Sequence, residues 1–304
     1  MGIKFIDIIL PFADTIDELE ITINSLDLQY YFINKVFIIA SGKNKINLYK
    51  DVNNYLKNNK YNLDIKVLKD INKKTTAGTS RNTGLSKSFN TSSEFIGFID
   101  SGMKVSENWI SSFYKESELK FIRIGCTKYV SKKGIQLISA LLSYGTRISL
   151  NSVPGTIIKK DKCINFPYLE RWGEDIIWMN NYRDYYNKIP NNLCTYSFFN
   201  NSIIDTYKKY IDQLKEVLHQ KSSYKRNLYL QSIIFLFSYM AIILIGLLLN
   251  KKLAIYFLLF FLISKFIKKN KIVYLLRFEG IIAIPLYLLF DFSKIYLVFW
   301  SIFN

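Results

Sequence analysis

Apolar and polar positions in the first hundred residues alternate between short apolar runs and helix-like spacings. Four apolar runs have the length and composition of buried strands, and they cover residues 6–10, 35–40, 63–68 and 94–99. The segments between them carry apolar residues three or four positions apart, as in Ile16, Leu19, Ile23 and Leu26. Strands and helices that alternate in this order predict an α/β fold: a Rossmann-like, mainly parallel sheet with helices on both faces.

A sheet of this kind predicts where a ligand binds. Parallel strands present their carboxyl ends at one edge, and ligands bind in the crevice at that edge. The residues that follow Leu10, Ala40, Leu68 and Ile99 are therefore the candidates for binding and chemistry.

The hydrophobic pattern changes after residue 202. Residues 203–221 place apolar side chains on one face of a helix and lysines on the other, which suits a membrane surface or an ordinary packed helix. Tyr229–Leu249 is apolar or mildly polar throughout, and as a helix it is about 31 Å long, enough to cross a bilayer. Residues 253–267 and 280–303 are also apolar. We expect a catalytic domain at 1–202, an amphipathic juxtamembrane helix and basic linker at 203–228, and an α-helical membrane region with two to three apolar helices at 229–304.

The distribution of charge predicts a cellular location. The 304 residues carry a formal net charge of +17, and basic residues flank the apolar segments. The positive-inside rule then predicts an inner (plasma) membrane protein whose first domain is cytoplasmic, with membrane lipids as partners. No basic helix or aromatic-basic motif of the kind that binds RNA occurs, so we predict no nucleic-acid partner.

Cysteine and histidine usage excludes several kinds of chemistry. The three cysteines are far apart, without a CxxC pair, which predicts neither a disulfide framework nor a zinc site. The single histidine, His219, leaves little room for Ser-His-Asp or Cys-His catalysis. A general base in this chain is therefore a carboxylate, a lysine or a tyrosine.

Four short motifs carry the most specific signal, and they occur in a fixed order. They are IDIILPFAD (6–14), AGTSRNTGL (77–85), FIGFIDSG (95–102) and WGEDIIW (172–178). Together they resemble the opening strand, the Gly-x-x-x-Arg-Asn-x-Gly segment, the D-x-D strand and the Glu-Asp segment of family 2 glycosyltransferases. The resemblance covers roughly residues 3 to 200 and implies the glycosyltransferase A fold.

This resemblance also implies roles for single residues. Asp175 matches the catalytic base, and its neighbour Glu174 would help to orient the acceptor. The donor-binding positions would be Pro11, Asp14, Ser41, Arg81 and Asp100. Ser41 stands where relatives usually carry an acidic residue that contacts the base, so the identity of the donor base stays open.

A metal is implied by the family and put in question by one residue. Relatives use the last acidic position of the D-x-D motif to hold a divalent metal on the diphosphate, and here that position is Gly102. Hard cations such as Mg or Mn need oxygen ligands. Asp100 is then the one candidate metal ligand of the motif.

Acceptor chemistry is predicted from aromatic residues and from the membrane region. Trp172 and Trp178 flank the Glu-Asp pair and could stack on sugar faces, with core packing the equal alternative for Trp178. No Q-x-x-R-W motif follows, which favours transfer of a single sugar. The sequence thus predicts a membrane-anchored inverting glycosyltransferase that acts on a lipid-linked or glycan acceptor at the cytoplasmic face.

Two other functions stay open at this stage. A catalytically degenerate relative that binds a sugar or a partner is favoured by Gly102 and by Ser41. A small transporter or channel component is a weaker alternative, because the apolar segments lack an array of ionisable groups.

Overall fold

A computed structural model describes residues 5–42, 44–72, 75–117, 120–130, 138, 148–168, 174–188, 195–198, 202–219, 223–248, 252, 255–258, 260–261 and 278–303. The chain divides into two compact units. The first comprises Met1–Lys128 with Ile148–Phe198, and the second comprises Tyr129–Arg147 with Phe199–Asn304. The predicted boundaries at residues 202 and 228 stay a prediction.

The first unit contains eight strands and five α-helices in its described residues. The strands are β1 (Ile6–Phe12), β2 (Ile33–Ala40), β3 (Ile65–Lys69), β4 (Phe95–Phe98), β5 (Met103–Val105), β6 (Ile122–Val130), β7 (Ile148–Lys159) and β8 (Thr195–Phe198). The helices are α1 (Ile16–Asp27), α2 (Lys45–Asn58), α3 (Ala77–Ser88), α4 (Trp109–Tyr114) and α5 (Glu174–Asn180).

All eight strands form one sheet, in the order β3-β2-β1-β4-β7-β6-β8-β5. The first four strands are parallel to one another, with β1 in the middle between β2 and β4. The apolar runs of β1, β2 and β4 are buried on both faces, as expected of strands covered by helices, whereas β3, at the end of the sheet, is partly exposed. The α/β prediction is confirmed for this half of the sheet.

The other half of the sheet corrects the prediction of a mainly parallel sheet. Strand β7 runs antiparallel to β4 and to β6, and β5 runs antiparallel to β8. The sheet is therefore mixed. The alternation of strands with full-length helices, which parallel pairing requires, ends at β4. The 6-residue α4 is the longest α-helix described between β4 and β7, and the strands of this half pair antiparallel where their direction is described.

Two apolar clusters pack on the sheet and hold the edge where the parallel strands end. One joins β1 and β2 to α1 and α4, with Leu19, Ile23 and Trp109 fully buried. The other joins the opposite face to α3 and α5, with Leu85 and Trp178 fully buried. The helices that carry the candidate site are thus fixed to the sheet by their apolar faces.

From residue 203 onward, the described residues of the second unit are helical. Its long helices are α6 (Ile203–His219), α7 (Ser223–Leu248) and α8 (Phe278–Phe303). Leu214 packs against Leu297 and Val298, and these contacts join α6 to α8. The amphipathic helix predicted at 203–221 is confirmed as a helix that ends at His219.

The predicted membrane-spanning helices find no support in the described part of the second unit. No helix there is both long enough and apolar enough to cross a bilayer. Polar side chains interrupt the apolar stretches of α7 and α8, and several join the two helices: Tyr239 donates to Asp291 at 2.8 Å and Lys294 donates to Gln231 at 2.7 Å. Most of the apolar segment at 253–267 lies outside the described residues.

Candidate active site

The carboxyl ends of the four parallel strands bring four polar residues to one edge of the sheet. They are Asp14 after β1, Ser41 after β2, Asp70 after β3 and Asp100 after β4. The sequence predicted this edge from the order of strands and helices. Arg81 of α3 and the two acidic residues that begin α5 meet the same edge.

Arg81 is the centre of the site. Its side chain is only 1% exposed, and its Nη2 donates to Asp100 Oδ1 at 2.8 Å. Its Nη1 donates to Asp175 Oδ1. The guanidinium also lies over the ring of Phe166, 5.2 Å from the ring centroid. Burial lowers the pKa of Arg81, but the nearby carboxylates of Asp175 and Asp100 outweigh burial and raise it, so the group is charged at every working pH.

Asp175 is partly open to solvent at this edge of the sheet. It lies in the first turn of α5, and 42% of its side-chain surface is accessible. The surrounding protein raises its pKa to about 6, because desolvation disfavours the charged carboxylate more than Arg81 favours it. The carboxylates of Asp100 and Glu174 act in the same direction as desolvation. A carboxyl with this pKa can accept a proton near neutral pH.

Glu174 has a different environment from its neighbour. It is buried, with 6% exposure, and its Oε1 accepts a hydrogen bond from the backbone N–H of Gly78 at 3.2 Å. This bond ties the start of α5 to the start of α3. Glu174 therefore has a supporting contact in the protein, whereas Asp175 has an open side.

Pro11 and Ser41 are buried, whereas the sequence predicted that both contact the donor. Pro11 is buried within β1, where it lies opposite Ile39 of β2. Ser41 is 6% exposed, and its hydroxyl donates to the carbonyl of Phe12 at 3.2 Å. Their donor-binding roles stay a prediction, and contact through Ser41 requires that this internal hydrogen bond be exchanged for one to the donor.

Asp14 and Gly102 lie on the loops after β1 and β4. Asp14 is exposed, and its carboxylate accepts a hydrogen bond from Ser101. Gly102 has φ +77, a left-handed conformation, and its N–H donates to the carbonyl of Glu18 at 3.1 Å. The two loops are thus joined at the edge where a donor would bind.

The residues present do not fit a divalent metal held by protein side chains. Asp100 Oδ1 is paired with Arg81, and Gly102 offers no side-chain oxygen. Within the described ranges, no three His, Cys, Asp or Glu side chains come together in a way that could ligate a metal ion. We therefore derive no chemical step through a metal.

The structure describes one of the two tryptophans that were predicted to bind the acceptor. Trp178 is fully buried, its Nε1 donates to the carbonyl of Ile164 at 2.8 Å, and its ring stacks on Phe166 at 4.8 Å. It belongs to the core, the alternative that the sequence left open, because α5 turns this face towards the sheet. Trp172 lies outside the described residues.

Asp70 is a residue that sequence reasoning missed. It is 1% exposed and accepts hydrogen bonds from the hydroxyls of Thr79, Ser80 and Thr83, at 3.1, 2.8 and 3.3 Å. It thereby holds the first turns of α3, the helix that carries Arg81. Two signals were present in the sequence: its place directly after β3, and the hydroxyl side chains that begin α3.

Comparisons with known proteins bear on the fold. No protein-family model matches the chain, and no curated protein matches it. Among solved structures, the mannosyltransferase PcManGT from Pyrobaculum calidifontis, in complex with GDP-Man and Mn2+, is similar with a TM-score of 0.50 and 10% identity. The match covers 97% of this chain and 87% of that one. The fold of this chain is therefore like that of a glycosyltransferase.

Structures of S. aureus TarS are also similar, at a lower level. TarS 1-349 in complex with UDP-GlcNAc matches with a TM-score of 0.44 and 15% identity, over 95% of this chain and 91% of that one. A longer S. aureus TarS structure matches with a TM-score of 0.43 and 16% identity over 76% of this chain. This chain spans 43% of the length of that longer structure.

Proposed function

We propose that the chain is an inverting glycosyltransferase that moves one sugar from a nucleotide-sugar donor to an acceptor hydroxyl, with Asp175 as its catalytic base. One observation carries the proposal. A single buried guanidinium, that of Arg81, holds Asp100 and Asp175 at the carboxyl edge of the parallel strands. Asp100 matches a donor-binding residue and Asp175 matches the catalytic base. The two terminal nitrogens of one guanidinium bind these two carboxylates.

The reaction balances with these groups. The acceptor hydroxyl gives its proton to the Asp175 carboxylate while its oxygen attacks the anomeric carbon. The bond from that carbon to the diphosphate oxygen breaks, and its electron pair leaves with the nucleoside diphosphate. Attack opposite the leaving group inverts the anomeric carbon. The raised pKa of Asp175, about 6, supports its role as a base near neutral pH.

The acceptor and the location are further parts of this proposal. A lipid-linked or glycan acceptor at the cytoplasmic face of the inner membrane is consistent with the apolar surface of the second unit. Phe237 on α7 and Tyr296 on α8 are 65% and 67% exposed. Large exposed apolar patches are typical of surfaces that contact lipid or a partner.

A binding subunit without catalysis is the second candidate. It is favoured by Gly102, which removes the carboxylate that relatives use for a metal. Such a protein binds a nucleotide sugar at the same edge and leaves it intact.

Turnover of a donor panel separates the two candidates. Membranes containing the full chain and native lipid acceptors are supplied with UDP- and GDP-sugars, with and without EDTA, and nucleoside diphosphate release is measured. We expect release that resists EDTA and that falls by about 100- to 10,000-fold in Asp175→Asn, the range for loss of a general base.

Asp161→Asn is the matched control, because Asp161 is also an aspartate but its side chain is 59% exposed and pairs with Lys162 and not with Arg81. This variant should keep wild-type turnover. Donor binding by calorimetry without release in any membrane preparation would instead establish the binding subunit.

A further inference from the structure

Arg81 is buried, whereas the sequence predicted that it contacts the donor. Its side chain is 1% exposed, and both terminal nitrogens are used by carboxylates of the protein. A group with no accessible surface offers nothing to a nucleotide. The partners are Asp100, which is 34% exposed, and Asp175, which is 42% exposed.

A guanidinium is a rigid planar fork, so two carboxylates bound to its two ends are fixed relative to each other. The Asp100 and Asp175 side chains come from positions 19 and 94 residues away from Arg81 along the chain. Their spacing in the site is therefore set by this one side chain.

The helix that carries Arg81 is itself held at several points. Asp70 accepts three hydroxyl hydrogen bonds from its first turns, and Thr76 caps its start through the N–H of Thr79 at 3.2 Å. The Gly78 N–H bond to Glu174 joins the same turn to α5. These hydrogen bonds fix the first turns of the helix, and both terminal nitrogens of Arg81 are paired, while its buried Nε has no hydrogen-bond partner.

We propose that Arg81 is a positioning residue: its buried guanidinium orients the carboxylate of Asp175 for proton abstraction and ties it to Asp100, and Arg81 does not bind the donor. The inference rests on the proposed function, which it deepens by assigning a role to a residue of the same site. It replaces the donor-binding role that the sequence predicted for Arg81.

The charged groups that face Asp175 influence its pKa. They are Arg81 on α3, Asp100 after β4 and Glu174 on α5. Arg81 is the one positive group among them, and it lowers the pKa of Asp175 while desolvation and the other carboxylates raise it. Removing this positive charge should raise the pKa of Asp175 further.

The test compares Arg81→Lys and Arg81→Gln with Arg123→Lys in the full chain. Arg123 is the matched control, because it too is largely buried and donates to the protein, at the hydroxyl of Ser112, away from the site. Three quantities are measured: the Kd for UDP and GDP, kcat at saturating donor, and the pKa of Asp175. The last comes from carbon NMR of chain labelled at aspartate carboxyls, with the resonance assigned by its loss in Asp175→Asn.

We expect both Arg81 variants to keep nucleotide affinity and to lose kcat by about 100-fold, the cost of a small misplacement of a catalytic group. The pKa of Asp175 should rise in Arg81→Gln. Arg123→Lys should leave all three quantities unchanged. Thermal unfolding identifies variants that fold, and Arg81→Lys, which keeps a positive charge, is the milder change.

The inference is overturned by either of two results in a folded variant. One is loss of nucleotide affinity with kcat retained at saturating donor, which would make Arg81 a donor contact. The other is an unchanged Asp175 pKa in Arg81→Gln. If the wild type turns over no donor, the proposed function fails, and the NMR titration still decides whether Arg81 controls Asp175.

Discussion

Gly78 and Glu174 are in direct contact across the start of two helices. The N–H of Gly78 donates to Glu174 Oε1 at 3.2 Å, and a Cβ built on Gly78 would lie 2.7 Å from Glu174 Cγ. Only glycine fits this close approach, which joins the helix of Arg81 to the helix of Asp175.

Gly78→Ala should therefore damage both stability and catalysis. Alanine is the better helix former by about 0.5–1 kcal/mol, but overpacking costs about 1–3 kcal/mol, so we expect a net loss of unfolding free energy. The clash pushes Glu174, and with it the neighbouring Asp175, away from Arg81. Chemical denaturation measures the first effect and kcat the second.

Gly97→Ala is the control for this prediction. A Cβ at Gly97 would meet Ile8 and Trp109 at 3.0 Å, so the substitution also overpacks the core, on a surface that does not contact Glu174. We expect it to lower stability while kcat stays near wild type. Equal loss of kcat in both variants would contradict a specific role for the Gly78–Glu174 contact.

The pH dependence of turnover should report Asp175. A base works in its deprotonated form, and the pKa of this carboxyl is raised to about 6. The value of kcat/KM should therefore be level above about pH 7, decline through pH 6 and fall tenfold per pH unit at lower pH. Initial rates between pH 4.5 and 8.5 measure the curve, and a rate that is still level at pH 5 would exclude this assignment.

Asp70→Asn should weaken the anchoring of α3. The substitution removes the charge that accepts from Thr79, Ser80 and Thr83, and leaves one carbonyl oxygen for them. A lost hydrogen bond to a buried charged group costs about 1.5–3 kcal/mol. Denaturant unfolding should show a loss of this size, and kcat should fall because Arg81 is less well fixed.

The control for Asp70 is Asp7, a fully buried aspartate that accepts from Ser88 at 2.6 Å and pairs with Lys160 at 3.4 Å. Asp7→Asn should destabilise the chain by a similar amount. Its contacts lie at the far end of α3, so at saturating donor its folded fraction should turn over normally. If both variants lose turnover only in proportion to the folded fraction, Asp70 has no effect on the site.

Binding to lipid should depend on the exposed apolar residues of the second unit. Phe237→Ser and Tyr296→Ser remove side chains that are 65% and 67% exposed. Burial of such a side chain contributes about 1.5–3 kcal/mol, so each variant should bind vesicles about 10- to 100-fold more weakly. Flotation with anionic phosphatidylglycerol vesicles measures this.

Ile46→Ser on α2 controls for the loss of any exposed apolar residue, since Ile46 is 59% exposed in the first unit. It should float like the wild type. Equal flotation of all four proteins would show that α7 and α8 do not contact lipid.

Local spacing was enough to predict the first half of the fold. The period of Leu19, Ile23 and Leu26 gave α1, and the apolar runs gave the four parallel strands. The antiparallel half was missed, because β5 to β8 are short or interrupted and their pairing depends on contacts across the sheet. Such contacts leave no periodic signal.

The functional roles of the site residues stay a prediction, and the contacts among these residues could not be predicted from the sequence. The motifs identified Asp100, Asp175 and Arg81 one by one. Their joining by a single buried guanidinium links positions up to 94 residues apart, and no local pattern encodes it. Trp178 shows the same limit, since burial of one helix face depends on which side of α5 the sheet lies.

Gly102 has a left-handed backbone conformation, and this conformation limits which side chains the position can carry. With φ +77 and a carbonyl of Glu18 bound to its N–H, the position accepts a side chain only at a backbone cost of about 1–2 kcal/mol. Space alone does not exclude a side chain at this position, because a Cβ on Gly102 would lie 3.6 Å from the side chain of Glu18. The preference for glycine at this position therefore comes from the main-chain conformation of the loop and not from crowding by its neighbours.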